Sequence, residues 1–278
     1  MTEQMPKMDL GRVKLHYHIN GEGEPVVLIT GLGGDVSFWK GLVPLLSSEF
    51  TVITFDARGS GQTEYPDEDF TMEDLADDVI GLLEGLGIKK AHVVGWSMGG
   101  NVAQDLASRY SEMVGSLTLI STYTRRPARS SYAIDTMIKM VHEGASYESL
   151  FMMMQAFCMT EASFRMREKR QAGHKAQVSF SEQSIIGFER QKKALDGFDG
   201  GPSLERIKAP TLILHGTDDI MVPPQYSDEL AQGIRGSILE NIKGAGHIIS
   251  PRLYHEKLRA FLLANRFTDG KDQPYFSE

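Results

Sequence analysis

Ser97, His247 and an aspartate at 218 or 219 are the residues whose types and settings could do chemistry together. Ser97 lies in Gly95-Trp96-Ser97-Met98-Gly99, a G-x-S-x-G arrangement. An apolar, β-branched run, Ala91 to Val94, precedes it, and Asn101 to Tyr110 after it reads as a helix. A serine on so abrupt a strand-to-helix turn sits in strained backbone, and a side chain at Gly95 or Gly99 would collide with the neighbouring strand or helix. The turn lifts the hydroxyl clear of the sheet. It also aims the Met98 N–H and the positive helix end at whatever the hydroxyl attacks.

A serine hydroxyl is a poor nucleophile near neutral pH and needs an adjacent base. His247, in Gly244-Ala245-Gly246-His247, is the natural candidate, because imidazole titrates near neutrality and the glycines leave it room to reach. The imidazole in turn needs a carboxylate to hold its tautomer. The loop Gly216-Thr217-Asp218-Asp219 offers two; position favours Asp219, with Asp218 capping the loop or meeting solvent. An oxyanion formed on an attacked carbonyl needs two preorganised donors. The backbone N–H of Met98 is one, and that of Leu32, in Gly31-Leu32-Gly33-Gly34, is the other. That glycine-rich loop also invites a dinucleotide-binding reading. Val36 stands where the third glycine of G-x-G-x-x-G belongs, however, and no acidic ribose partner is evident. His215 closes a strand and is expected to pack. His16, His18, His92, His142, His174 and His255 lack a comparable loop setting and are expected at the surface or in packing.

The elements that must position these residues alternate between strand and helix. Arg12 to Ile19 alternates as a strand with one wet face, and Asn20-Gly21 turns it into an apolar strand, Pro25 to Thr30. Phe38 to Leu46 reads as a short helix and Thr51 to Phe55 as a buried strand, followed by the tight loop Asp56 to Gly61. Thr71 caps a long helix with Leu75, Val79, Leu82, Leu83 and Leu86 at helical spacing. Leu117 to Ile120, Pro210 to Leu214 and Ser237 to Ile242 read as further strands, and Pro251 to Ala264 as a closing helix. The pattern predicts a mostly parallel sheet whose strand C-terminal ends, and hence Leu32, Ser97, Asp219 and His247, share one edge.

Between about 123 and 206 the style changes. Tyr132 to Glu143, Tyr147 to Cys158, Glu161 to Gln171 and Glu182 to Leu195 all read as helices, without a β-rich apolar run. Half of the 14 methionines fall here (Met137, Met140, Met152, Met153, Met154, Met159 and Met166). They could form an adaptable lid over apolar substrates or fill the insertion's own core. The organisation expected is a core of 1–122 and 207–278 with a helical cap, 123–206, over the sheet edge.

The 278 residues carry a net charge of −8, which argues against nucleic acid and anionic membrane surfaces as partners. Cys158 is the single cysteine, so neither an intrachain disulfide nor a multi-cysteine zinc site is available. Met1 to Leu10 is polar, without the apolar stretch of a signal peptide, and Phe267 to Glu278 is a polar tail expected to fray. A cytoplasmic setting is the expectation.

From Val26 to about Leu263 the chain resembles the α/β-hydrolase superfamily. The oxyanion loop Gly31-Leu32-Gly33, the Asp56-Ala57-Arg58-Gly59-Ser60-Gly61 loop and the elbow Gly95 to Gly100 match in order. So do the acid loop with Asp219 followed by Val222-Pro223, and the base loop Gly246-His247. The Ser, Asp, His order is the one that superfamily uses. Phe70 to Val79 and Ser97 to Gly100 look most like 3-oxoadipate enol-lactonases and related carboxylesterases. Thr30 departs from the pattern, which often has histidine before the oxyanion glycine. The resemblance implies an α/β-hydrolase fold and hydrolysis of a carboxylic ester or lactone through an acyl-Ser97 intermediate, with no cofactor and no metal. A small-molecule substrate with an apolar part is the partner it implies. A carbon–carbon bond hydrolase of ring-cleavage products, a cofactor-free perhydrolase and a low-turnover receptor are alternatives on the same fold.

Overall fold

The computed structural model describes residues 6–171 and 185–267. The start of the expected helix Glu182 to Leu195, His174 and the tail beyond Phe267 lie outside the described residues. The strands are β1 (Lys7–Asp9), β2 (Lys14–Asn20), β3 (Glu24–Ile29), β4 (Phe50–Phe55), β5 (Ala91–Trp96), β6 (Val114–Ile120), β7 (Thr211–Gly216) and β8 (Ile238–Ile242). They form one sheet in the order β1-β2-β4-β3-β5-β6-β7-β8. β1 and β2 run antiparallel to their neighbours, and the remaining pairs are parallel.

Strand alternation fills both faces of this sheet. Val26 and Leu28 of β3 face one way, with Trp39, Phe50, Leu212, Leu214, Leu258 and Leu262. Val27 and Ile29 face the other, with Val93, Leu117 and Leu119. That second face is covered by α2 (Met72–Gly85) and α3 (Met98–Arg109), and the first by α1 (Val43–Leu46) and α9 (His255–Ala264). Because each central strand is covered on both sides, β3, β4, β5 and β7 are buried along their whole lengths. α2 opens with Thr71, whose side chain accepts the Asp74 N–H while the Asp74 carboxylate accepts the Thr71 N–H.

Between β6 and β7 lie α4 (Ala128–His142), α5 (Tyr147–Cys158), α6 (Glu161–Gln171) and α7 (Ile185–Asp196), and after β7 comes α8 (Gln225–Gly233). The expected helix Phe38 to Leu46 is instead a 3-10 turn, Val36–Gly41, followed by the four-residue α1 with Pro44 in its first turn. Proline has no N–H to continue a helix begun earlier, so the chain restarts there. In the same way Pro251–Leu253 forms a 3-10 turn ahead of α9. β1 was not expected; its three residues carry too little alternation to read.

Register sets the site. Ile29 pairs with Gly95, Trp96 with Ile120, Ile120 with Leu214 and Gly216 with Ile242. The loops after β3, β5, β7 and β8 therefore leave the same sheet edge. β4 and β5 flank β3 on opposite sides, so the chain reverses direction of travel across the sheet at β3. Loops on either side of such a switch diverge and leave a crevice.

Candidate active site

Ser97 has φ 54° and ψ −120°, a conformation that non-glycine residues rarely adopt. Neighbours hold it there. The Ser97 N–H donates to Ile120 O at 2.9 Å, and Ser97 O accepts from Gly100 N–H at 2.8 Å and from the Thr122 hydroxyl at 2.7 Å. The glycines are needed for contact: a Cβ on Gly95 would lie 2.3 Å from Gly99 O, and one on Gly99 would lie 2.2 Å from Ile29 O. α3 starts at Met98, earlier than expected, directly behind the serine. The first N–H groups of a helix have no carbonyl one turn back, so Met98 N–H is left for another acceptor.

His247 Nε2 lies 2.9 Å from Ser97 Oγ, and His247 Nδ1 lies 2.8 Å from Asp219 Oδ2. The other Asp219 oxygen accepts the N–H groups of Met221 at 2.9 Å and Val222 at 2.8 Å. Its side chain is wholly shielded from solvent. Asp218 is exposed and accepts a hydrogen bond from the Thr217 hydroxyl at 2.8 Å, away from the imidazole. The acid and base loops are packed against each other: Asp218 N–H donates to Ala245 O at 2.9 Å, and a Cβ on Gly216 would lie 2.3 Å from Ala245 O.

His215 is buried as expected, and its Nε2 donates to Val222 O at 2.8 Å. Burial lowers its pKa against the pull of nearby Asp219, so the ring stays neutral beside the carboxylate that faces His247. His16 and His92 are fully buried packing residues; His16 Nδ1 lies 2.6 Å from Asp56 Oδ2.

Leu32, Ser97 and His247 border one small cavity of about 30 Å³. Tyr123, Ser130, Ile134, Met154, Cys158 and Leu195 from the stretch between β6 and β7 line it, together with Trp96, Met221 and Val222. Of the seven methionines in that stretch only Met154 borders the cavity among the described residues, and Met137 is buried. Met140, Met152, Met153 and Met166 are exposed, so the group divides between the two expected roles and solvent. Burial pushes the Cys158 thiol up, and nearby Asp219 adds to the shift, so Cys158 is a neutral wall rather than a nucleophile.

The glycine loop forms a four-residue turn closed by Gly34 N–H to Gly31 O at 3.0 Å, with Gly33 at φ 73°. A Cβ on Gly31 would lie 2.6 Å from the Trp96 ring, which places this turn against the elbow. No described residue accepts the Leu32 N–H. Thr30 braces the turn by donating to Gly34 O at 3.2 Å, so the departure from histidine does not leave the loop unbraced.

Three ties were not read from the sequence. The Trp96 indole N–H donates to His247 O at 3.0 Å, Ile248 N–H donates to Cys158 O at 3.0 Å, and the Gln191 side chain accepts Gly33 N–H at 2.9 Å. Each joins a side chain or carbonyl to backbone far away in sequence, which local pattern does not register. Among the described residues no group of three or more His, Cys, Asp or Glu could hold a metal ion, and no helix is long and apolar enough to cross a membrane.

Known proteins are similar to this chain in sequence and fold. The provisionally named carbamate hydrolase RutD of Agrobacterium fabrum is 28% identical over 258 residues, covering 90% of this chain and 98% of the relative. An enol-lactonase from Burkholderia xenovorans LB400 superposes with a TM-score of 0.81 at 28% identity, over 93% of this chain and 100% of the other. A meta-cleavage product hydrolase from Pseudomonas fluorescens IP01, CumD, does so with a TM-score of 0.68 at 27% identity, over 91% and 96%. The family described as alpha/beta hydrolase fold matches residues 24–155 and 162–251. With the switch-point crevice and the ordered loops already in place, that match over most of the chain makes this protein a member of the α/β-hydrolase fold family.

Proposed function

We propose that this α/β-fold hydrolase cleaves carboxylic esters or lactones through an acyl-Ser97 intermediate. The observation that carries the reading is the continuous Ser97–His247–Asp219 relay, at 2.9 and 2.8 Å, opening on a cavity of about 30 Å³. Ser97 Oγ attacks the carbonyl carbon as His247 Nε2 takes its proton. The oxyanion is met by the N–H groups of Leu32 and Met98. Collapse expels the alkoxide, which takes the proton from His247. A water, deprotonated by the same nitrogen, then attacks the acyl carbon, and the proton passes to Ser97 as acid is released. Asp219 holds the imidazole with Nδ1 protonated throughout. The helices of 123–206 serve as the cap over a core of 1–122 and 207–278, supported by the six cavity residues that this stretch supplies.

Ring-cleavage products are a rival substrate class, since CumD, a meta-cleavage product hydrolase, shares the fold. Carbamate hydrolysis is a second reading. The Agrobacterium relative bears that name, and a carbamoyl group, with NH2 in place of CH3, occupies the space of an acetyl. The test is hydrolysis of p-nitrophenyl acetate and a short lactone by purified wild type and Ser97→Ala. The wild type is expected to turn over, and the variant to lose at least about 10³-fold in kcat. Undiminished hydrolysis by Ser97→Ala removes the serine from the mechanism. An inert wild type that cleaves a vinylogous diketo acid moves the protein to the carbon–carbon hydrolases.

A further inference from the structure

α7 touches the core at two backbone loops, one of them the Leu32 turn at the cavity, and a single buried side chain bridges them. Gln191 is 0% exposed. Its Oε1 accepts Gly33 N–H at 2.9 Å, and its Nε2 donates to Arg58 O at 2.6 Å. Both ends of the amide are thus used, and the amide can be turned in only one sense: oxygen toward the N–H, nitrogen toward the carbonyl. Gly187, four residues earlier on the same face of α7, makes the approach possible. A Cβ on Gly187 would lie 2.3 Å from Gly59 O, and one on Gly59 would lie 2.6 Å from Gly187 O. Helix and loop therefore meet backbone to backbone, at a depth from which the glutamine spans both loops.

Gly33 is the residue after Leu32. Its N–H belongs to the central peptide of the four-residue turn, and holding that peptide fixes the plane on which Leu32 is carried. The other braces of the loop come from the core: Thr30 to Gly34 O at 3.2 Å, and Val36 N–H to the buried Asp56 carboxylate at 2.8 Å. Gln191 is the brace supplied by the inserted helices.

We infer that Gln191 is a positioning residue for the oxyanion turn, setting the Leu32 N–H through Gly33 and thereby making docked α7 a condition of transition-state stabilisation. This rests on the acyl-serine reading proposed above. The ground-state carbonyl gains little from that donor, whereas the tetrahedral oxyanion of both acylation and deacylation depends on it. The effect belongs in kcat.

The experiment is p-nitrophenyl acetate kinetics for Gln191→Met, which keeps the volume and removes both hydrogen bonds. Rates are taken per active site titrated with a fluorophosphonate. The expected result is a fall in kcat of about 10- to 100-fold, with KM changed less than about 3-fold. Affinity for trifluoroacetone, whose hydrate-forming carbonyl adds Ser97 as a tetrahedral mimic, is expected to fall in parallel. A kcat per titrated site within about 2-fold of wild type overturns the inference, as does a rise in KM alone, which would make Gln191 a fastener of the helix only. If Gln191→Met does not fold, Gln191→Leu replaces it, since that side chain also lacks both hydrogen-bonding atoms. A fall in kcat of about 10-fold or more per titrated site with KM little changed supports the inference, and kcat within about 2-fold overturns it. Undiminished activity of Ser97→Ala would instead sink the acyl-serine reading itself, so the two failures are distinguishable.

Discussion

Asp219 spends one oxygen on the Met221 and Val222 N–H groups and the other on His247, while Asp218, next to it, stands in solvent with the Thr217 hydroxyl. Asp219→Asn is expected to lower kcat by on the order of 10⁴-fold, because a neutral amide no longer fixes the Nδ1-protonated tautomer or steadies the imidazolium. Asp218→Asn should leave kcat within about 2-fold. Steady-state hydrolysis by the two variants, side by side, decides it, and equal effects would sink the assignment. Sequence narrowed the acid to these two residues but not to one on chemistry alone. What separates them is the direction in which the backbone of 221 and 222 points its N–H groups. Ser97 and His247 were easier to read because glycines surround them. Trp96, Cys158 and Gln191 were illegible as ties because their partners are main-chain atoms, which every residue has.

At the scale of elements, two kinds of glycine hold the site, and they differ in what a methyl group would do. Gly99 lets α3 lie against β3, and a Cβ there would sit 2.2 Å from Ile29 O. Gly244, at φ 72° in the base loop, has nothing within 4 Å of an added Cβ. Gly99→Ala must push helix and strand apart and is expected to cost about 3 kcal/mol or more, if it folds. Gly244→Ala meets only backbone strain, about 1 to 2 kcal/mol. Urea titration of both variants measures the difference, and comparable losses would contradict the packing argument. The elbow and the Thr71-capped helix were legible because their signals are local. The 3-10 turns ahead of α1 and α9 were not, since an apolar spacing that suits a helix also suits a turn followed by a shorter helix. His16 likewise looked like an ordinary strand residue, and only the fold brings Asp56 within 2.6 Å of it.

Across the whole molecule, buried neutral histidines tie stability to pH. His92, in β5, is lowered to about 4, with burial outweighing the opposing Glu24 carboxylate and Arg266 acting in the same direction as burial. The unfolded chain takes up a proton below about pH 6.5 while the folded chain does not. Stability is therefore full above that pH and is lost as pH falls toward 4, by on the order of 3 kcal/mol from this residue. His215 is shifted in the same direction. Melting temperature followed from about pH 7 down to about pH 4.5 should decline, and His92→Asn should flatten the decline; parallel curves for the two proteins would sink the attribution. The parallel order of the sheet was legible from alternation of strand and helix, but the placing of β4 and β5 on opposite sides of β3 was not, because a long crossover connection can lead to either side. One consequence concerns engineering. β6 and β7 pair directly, while the helices between them bury Phe188, Leu195 and Leu204 in the same cluster as Val93 and Leu117. They are not freely exchangeable. A foreign insertion grafted there would have to refill that cluster and, if Gln191 positions the oxyanion turn as inferred, to supply a new acceptor for the Gly33 N–H.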